Sequence, residues 1–157
     1  MTPTRFDFRL QKVLELRERV EQAAAAKMAA ATERAQAARA AHDALAAIRS
    51  AGAQELQDAH AHAPTVGHLA NLAFVLDRID AQLDASEGVV READAGVEQA
   101  QGELNLAFQA RRVIDRLRER HHDEWKHDVT QADRSLMDEL ALARYVQRIA
   151  KAEDGES

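Results

Sequence analysis

Residues 69–104 read LANLAFVLDRIDAQLDASEGVVREADAGVEQAQGEL, and this stretch decides the fold. Leu69, Leu76, Leu83, Val90, Val97 and Leu104 recur every seven residues. Leu72, Ile79, Ser86, Ala93, Ala100 and Ala107 occupy the second seam position of the same heptads. An apolar pair repeated at a mean step of 3.5 residues is the pattern of a left-handed helical coiled coil. Nothing from His68 to Lys151 is proline, so the same helix is expected to run to about residue 151.

Toward the N-terminus, the run His60-Ala61-His62-Ala63-Pro64-Thr65-Val66-Gly67 is the strongest break in the chain, and Thr65 is placed to cap the second helix. Before it, only Gly52 interrupts a helical pattern that Thr4 and Asp7 open as a capping box. The first helix has a weaker seam, read as Leu10, Val13, Leu16, Val20, Ala24, Met28, Ala31, Ala35, Ala38, Ala41, Leu45 and Ile48. The expected architecture is a single all-α domain over residues 1–157, a long antiparallel two-helix coiled-coil hairpin. Helix 1 covers about 5–60, the turn about 61–67, helix 2 about 68–151, and a tail 152–157.

Composition agrees with this class. Of 157 residues 34 are alanine, against four Phe, one Trp and one Tyr. Alanine favours helix but buries little area, so the core between the helices is thin. β-Branched and aromatic residues are too sparse for a sheet protein. The absence of cysteine excludes a disulfide framework and a thiolate nucleophile. The N-terminus has no apolar signal core, and no run reaches the length of a membrane span, so a cytoplasmic protein is expected.

Lengths and charge add two expectations. With the pivot near Pro64, Asp7 lies opposite roughly residue 121, and residues 122–151 overhang without an intramolecular partner. Their apolar positions (Trp125, Val129, Leu136, Leu140, Val146, Ile149) then call for a partner or a second copy. Residues 50–104 hold two basic and ten acidic side chains, whereas residues 1–49 hold nine and six and residues 105–151 ten and eight. A solvated face explains any charge run by default, and different partners at the two ends explain a gradient better. Gly88, Gly96 and Gly102 read either as tolerated surface glycines or as a softened stretch.

Catalytic signals are missing: no phosphate loop, no dinucleotide-binding glycine pattern, no HExxH and no nucleophile elbow. His60, His62 and His68 cluster at the turn, and His121, His122 and His127 in helix 2, where Asp123 and His127 form an i,i+4 pair. A metal site wants more ligands on one face, so solvated histidines are the better reading. The run Arg111-Arg112-Val113-Ile114-Asp115-Arg116-Leu117-Arg118-Glu119-Arg120 is nearly cancelled by acids through Asp128, which argues against nucleic acid. No enzyme, metal or cofactor is expected.

Phe6-x-Phe8-x-Leu10-x-x-Val13-Leu14-x-Leu16-Arg17 resembles the opening of the FliJ family, small coiled-coil proteins of bacterial flagellar type III export. The leucine–basic run Ile114–Arg120, then Glu124-Trp125, then Met137-Asp138-Glu139-Leu140-Ala141 are similar to family segments in the same order. Trp125 stands where the family more often has Tyr, and Met137 where it has Leu. The resemblance implies a coiled coil like the central stalk of rotary ATPases. The end bearing both termini enters and stimulates the hexameric export ATPase ring, and the protein contacts the membrane export gate and escorts chaperones at the cytoplasmic face of the inner membrane. On the ring-facing end the residues singled out are Phe6, Phe8, Arg116, Arg120, Trp125, Lys126, Met137 and Leu140; Phe74 is the candidate gate contact. The alternatives are a stalk of a non-flagellar injection system and a coiled-coil scaffold or chaperone without an ATPase partner.

Overall fold

The structure is a computed structural model that describes residues 5–154, with side chains described to residue 151. Two helices make the fold: α1, Gln11–Ala61 (51 residues), and α2, Val66–Asp154 (89 residues). They pack against each other in an all-α hairpin. Packing divides the chain into two compact units. These are Arg19–Gln109, and Met1–Glu18 with Ala110–Ser157.

The unit Arg19–Gln109 contains the turn. Thr65 caps α2: its Oγ1 accepts from the His68 backbone N–H at 3.3 Å, and its carbonyl accepts from Leu69 N–H at 3.2 Å. At the end of α1 the His62 ring Nδ1–H donates to the carbonyl of Asp58 (2.8 Å), one of the four acceptors that the helix end leaves open, and the His60 ring Nδ1–H donates to the carbonyl of Leu56 (2.7 Å) inside the last full turn. His62 thus serves as a C-terminal cap of α1. Ala63 makes the reversal at φ 52°, the left-handed region in which a Cβ is strained. Pro64 then bars any continuation of α1.

Cross-helix pairs fix an antiparallel register within this unit. Lys27 meets Glu103 at 2.7 Å, Arg39 meets Asp94 at 2.6 Å, and Arg49 meets Asp80 at 2.9 Å. Between them, His42 Nδ1 donates to Ser86 Oγ at 2.7 Å, because Ser86 spends its own proton on the Leu83 carbonyl at 2.8 Å. A polar pair at a seam position penalises slipped registers, since a shift leaves both groups without partners. Three acids of the acidic stretch are therefore matched by α1 cations, in pairs that remain open to solvent.

The α2 seam positions read from the sequence are all covered. Leu76, Ala100 and Ala107 are buried, and Leu69, Leu72, Ile79, Leu83, Ser86, Val90, Ala93, Val97 and Leu104 are half-buried. The α1 seam differs from its expected course. Leu45 is half-buried as expected, but Val20 and Ile48 are exposed, and His42 rather than Ala41 faces the partner helix. Gly52 does not stop α1. It sits opposite Leu76, whose Cδ2 would lie 2.9 Å from an added Cβ, so glycine here makes room for a buried leucine. At Gly88, Gly96 and Gly102 an added Cβ would meet nothing within 4 Å.

In the unit Met1–Glu18 with Ala110–Ser157, α1 begins at Gln11 rather than near residue 5. Thr4, half of the expected capping box, lies outside the described residues. Residues 6–8 are nonhelical, and Phe6 and Phe8 are two positions apart. In a helix two such rings would point to nearly opposite sides, so both can reach α2 only from a nonhelical backbone. Leu14 is 1% exposed and anchors the first turns of α1 in this unit, whereas Val13 and Leu16 stand outside and Leu10 is half-buried. Of the expected α1 seam, Ala24, Met28, Ala31, Ala35 and Ala38 are covered, whereas Val13, Leu16, Val20, Ala41 and Ile48 are exposed, and Leu14, one residue from Val13, is buried in its place.

Candidate partner-binding surface

Three ring contacts bind the N-terminal segment to α2, and a fourth within α2 braces them. Phe6 meets His122 edge-on at 5.0 Å between centroids and Trp125 at 5.9 Å. Phe8 meets His121 at 5.8 Å, and His122 stacks on Trp125 at 5.8 Å. Such edge and offset geometries place the positive rim of one ring against the negative face of another. Phe8 is buried and Phe6 and Trp125 are half-buried, so these three expected ring-contact residues are engaged within the chain. Phe8 has no face left for a partner. The helix pattern had hidden this clasp, although the Phe-x-Phe spacing and the histidine pair of α2 were its signal.

The clasp also shortens the expected overhang. A nonhelical segment covers roughly twice the length per residue of a helix, so residues 5–10 reach farther along α2 than a helical start would. Ile114, Leu117, His121, His122, Trp125 and Val129 are all half-buried. From residue 130 to residue 151 every side chain is exposed. That is about 33 Å of helix at 1.5 Å per residue. Within it Leu136, Met137, Leu140, Leu142, Tyr145, Val146 and Ile149 are between 43% and 67% exposed. A helix end this apolar and this bare is a candidate docking surface.

The remaining ring-end residues are accessible. Arg116 and Lys126 are exposed, and Arg120 is exposed while forming an i,i+4 ion pair with Glu124 at 3.8 Å. Arg111 pairs with Asp115 one turn along, which removes part of the arginine run from any anion site. Among the described residues no three of His, Cys, Asp or Glu are placed to hold a metal ion. In the unit that carries the turn, Phe74 is 63% exposed, with Val75 at 46% and Val66 at 85%. Among the described residues no helix is long and apolar enough to cross a membrane.

A bare helical end and a coiled-coil hairpin are shared by many assemblies, and the family comparison decides among them. The flagellar FliJ protein family matches residues 6–150. The chain belongs to the FliJ family. No curated protein and no solved structure matches it. As a FliJ-family member it is a flagellar export-related coiled-coil protein. The matched span includes the Phe6–Phe8 clasp and nearly all of the exposed end of α2.

Proposed function

We propose that this FliJ-family chain is a non-enzymatic stalk of the flagellar export apparatus. In this reading the exposed end of α2 enters the hexameric export ATPase and stimulates hydrolysis, and the turn end meets the membrane export gate. The observation that carries it is the 22 consecutive exposed residues from 130 to 151, with their bare apolar side chains. A shaft within a ring needs a helix free of its own partner on every side. The ring contact comprises Arg116, Arg120, Lys126, Met137 and Leu140, while Phe6, Phe8 and Trp125 hold the base of that helix in place. Phe74, beside Val75 on the turn-bearing unit, is the gate contact. Escort of export chaperones and residence at the cytoplasmic face of the inner membrane belong to the same reading.

Truncation tests it. Cutting after Arg120 removes Trp125 and strips the cover from Phe6 and Phe8, so loss of function there would be ambiguous. Cutting after Thr130 spares the clasp. The shortened chain is expected to keep its helicity and its Trp125 fluorescence, yet lose stimulation of the cognate export ATPase. Full stimulation by the truncated chain would move the ring contact elsewhere. Loss of self-association alone, with stimulation intact, would favour a scaffold. For the gate, Phe74→Ala is expected to weaken binding to the export-gate protein without changing ATPase stimulation.

A further inference from the structure

The two long sides of the hairpin unit Arg19–Gln109 differ in chemistry. In an antiparallel pair of helices the rows that flank the seam meet like rows, one set on each side. The Lys27–Glu103 ion pair marks one side and the Arg39–Asp94 pair the other. On the Arg39 side the seven-residue rows carry Gln36, Asp43 and Ser50 from α1 and Asp84, Glu87 and Glu98 from α2. On the Lys27 side, Val20, Lys27, Arg34, Ala41 and Ile48 recur every seven residues, and Ala23, Ala30, Ala37, Ala44 and Ala51 recur three residues after each. α2 adds Val75, Ala85, Val89, Gly96 and Leu106 there. Among the described residues of this unit, exposed large apolar side chains stand on the Lys27 side at Val20, Ile48, Val75, Val89 and Leu106, and elsewhere only at Val66, Phe74 and Phe108. An open groove lined by Ala31, Arg34, Ala38, Val89 and Gly96 runs between the helices on this side.

We infer that the Lys27 side is a homodimer interface, on which a second copy of this hairpin stacks face to face with its turn at the same end. A single helix lying in the groove of a helix pair sits about 60° from the line joining their axes, whereas one stacked squarely on a helix sits at about 90°. At 3.5 residues per turn the Val20–Ile48 row lies about 77° from the seam and the Ala23–Ala51 row about 128°, so the stripe centres near 100°. That angle fits helix on helix, and two helices side by side are what a second copy offers. His42 with Ser86, and Gly52 with Leu76, set which residues of the two helices are level. A two-fold axis along the rod lays α1 on the partner's α2 at that level. Large side chains then meet small ones, with Val89 between the partner's Ala37 and Ala44 and Ile48 beside the partner's Ala85. Leu106 meets the partner's Val20, and Arg34 falls between the partner's Glu92 and Gln99. Within one chain neither Arg34 nor Glu92 forms an ion pair among the described residues. Rows about 48 Å long on a face about 20 Å wide cover about 1,000 Å² per chain, against about 800 Å² in a standard interface. A bilayer would have to take Arg34 and Glu92 into hydrocarbon. The inference goes beyond the stalk reading and does not rest on it: a ring channel takes one chain, so the pair is the state of the chain away from the ring.

Sedimentation equilibrium of the full chain, alone in solution, tests it. The mass is expected to rise from 17.4 kDa toward twice that value as concentration increases. Ile48→Glu/Val89→Glu is expected to weaken pairing on the order of 100-fold, because it places unpaired carboxylates within the contact. Ala46→Glu, on the Arg39 side, is expected to leave pairing unchanged. Arg34→Glu and Glu92→Arg are each expected to pair weakly alone and to recover when mixed, since the mixed pair sets opposite charges at both contacts. Circular dichroism and Trp125 fluorescence report that each variant is folded. Stimulation of the cognate export ATPase is measured separately, so the stalk reading stands or falls on its own result. A monomer at every concentration would overturn the homodimer. A dimer indifferent to Ile48→Glu/Val89→Glu, or a mixture of the two charge variants that recovers nothing, would overturn this face as its interface.

Discussion

Replacing Phe8 by alanine removes the largest buried side chain of the N-terminal segment. At 5% exposure Phe8 has surrendered nearly all its surface, and its ring meets His121 edge-on at 5.8 Å. Buried Phe→Ala changes cost about 3–5 kcal/mol. The lower figure applies here, because a cover one segment thick can close over part of the gap. With a urea slope near 1.5 kcal/mol/M, about 3 kcal/mol moves an unfolding midpoint down by about 2 M. The chain has one tryptophan, Trp125, and it belongs to the clasp, so its fluorescence reports this unit selectively. A double-mutant cycle with His121→Ala should return a coupling of about 0.5–1.5 kcal/mol for the ring pair. A fluorescence midpoint unmoved by Phe8→Ala would refute the clasp and restore the N-terminal aromatics to the partner surface.

Ala63→Gly relieves the left-handed backbone at φ 52° and should stabilise the turn-bearing unit by roughly 1 kcal/mol, read as a higher midpoint by circular dichroism. Gly102→Ala, with open space around its Cβ, should add about 1 kcal/mol through helix propensity. Gly52→Ala should yield less, since its Cβ meets Leu76, and should recover the full gain in a Leu76→Ala background. The Arg49 hydrogen bond holds the Asp80 carboxyl below its ordinary value, and the Lys27 hydrogen bond does the same for Glu103. The folded chain therefore binds fewer protons than the unfolded one in the carboxylate range. That stability is present above pH about 4–4.5 and drains as pH falls through the depressed values, and Asp80→Asn/Glu103→Gln should flatten the loss in acid denaturation curves.

Side-chain size decided how much of the fold was legible in the sequence. On α2 the seam is spelled in leucine, isoleucine and valine against polar neighbours, so its period and its face were both readable. On α1, alanine stands both inside and outside, and the few large residues form two adjacent stripes at the N-terminal end. Val13, Leu16 and Val20 compete there with Leu14, and composition alone cannot rank them. The register does: a polar contact such as His42 with Ser86, or the gap that Gly52 leaves for Leu76, belongs to one alignment of two helices and to neither helix alone. Local propensity misled at the N-terminus for a related reason. The aromatic contacts of Phe6 and Phe8 with His121, His122 and Trp125 outweigh one more helical turn. The exposed end of α2 was readable as a surplus of helix, and its true beginning near residue 130 required knowing how far the N-terminal segment reaches.

Titrating the full chain into a fixed amount of the cognate export ATPase, with phosphate release as the readout, tests the stalk reading most directly. The expected result is a rise in hydrolysis that reaches its plateau near one chain per hexamer, because a ring has one central channel. A flat response from a chain whose helicity and Trp125 fluorescence are intact would contradict it, and so would a plateau at one chain per ATPase subunit.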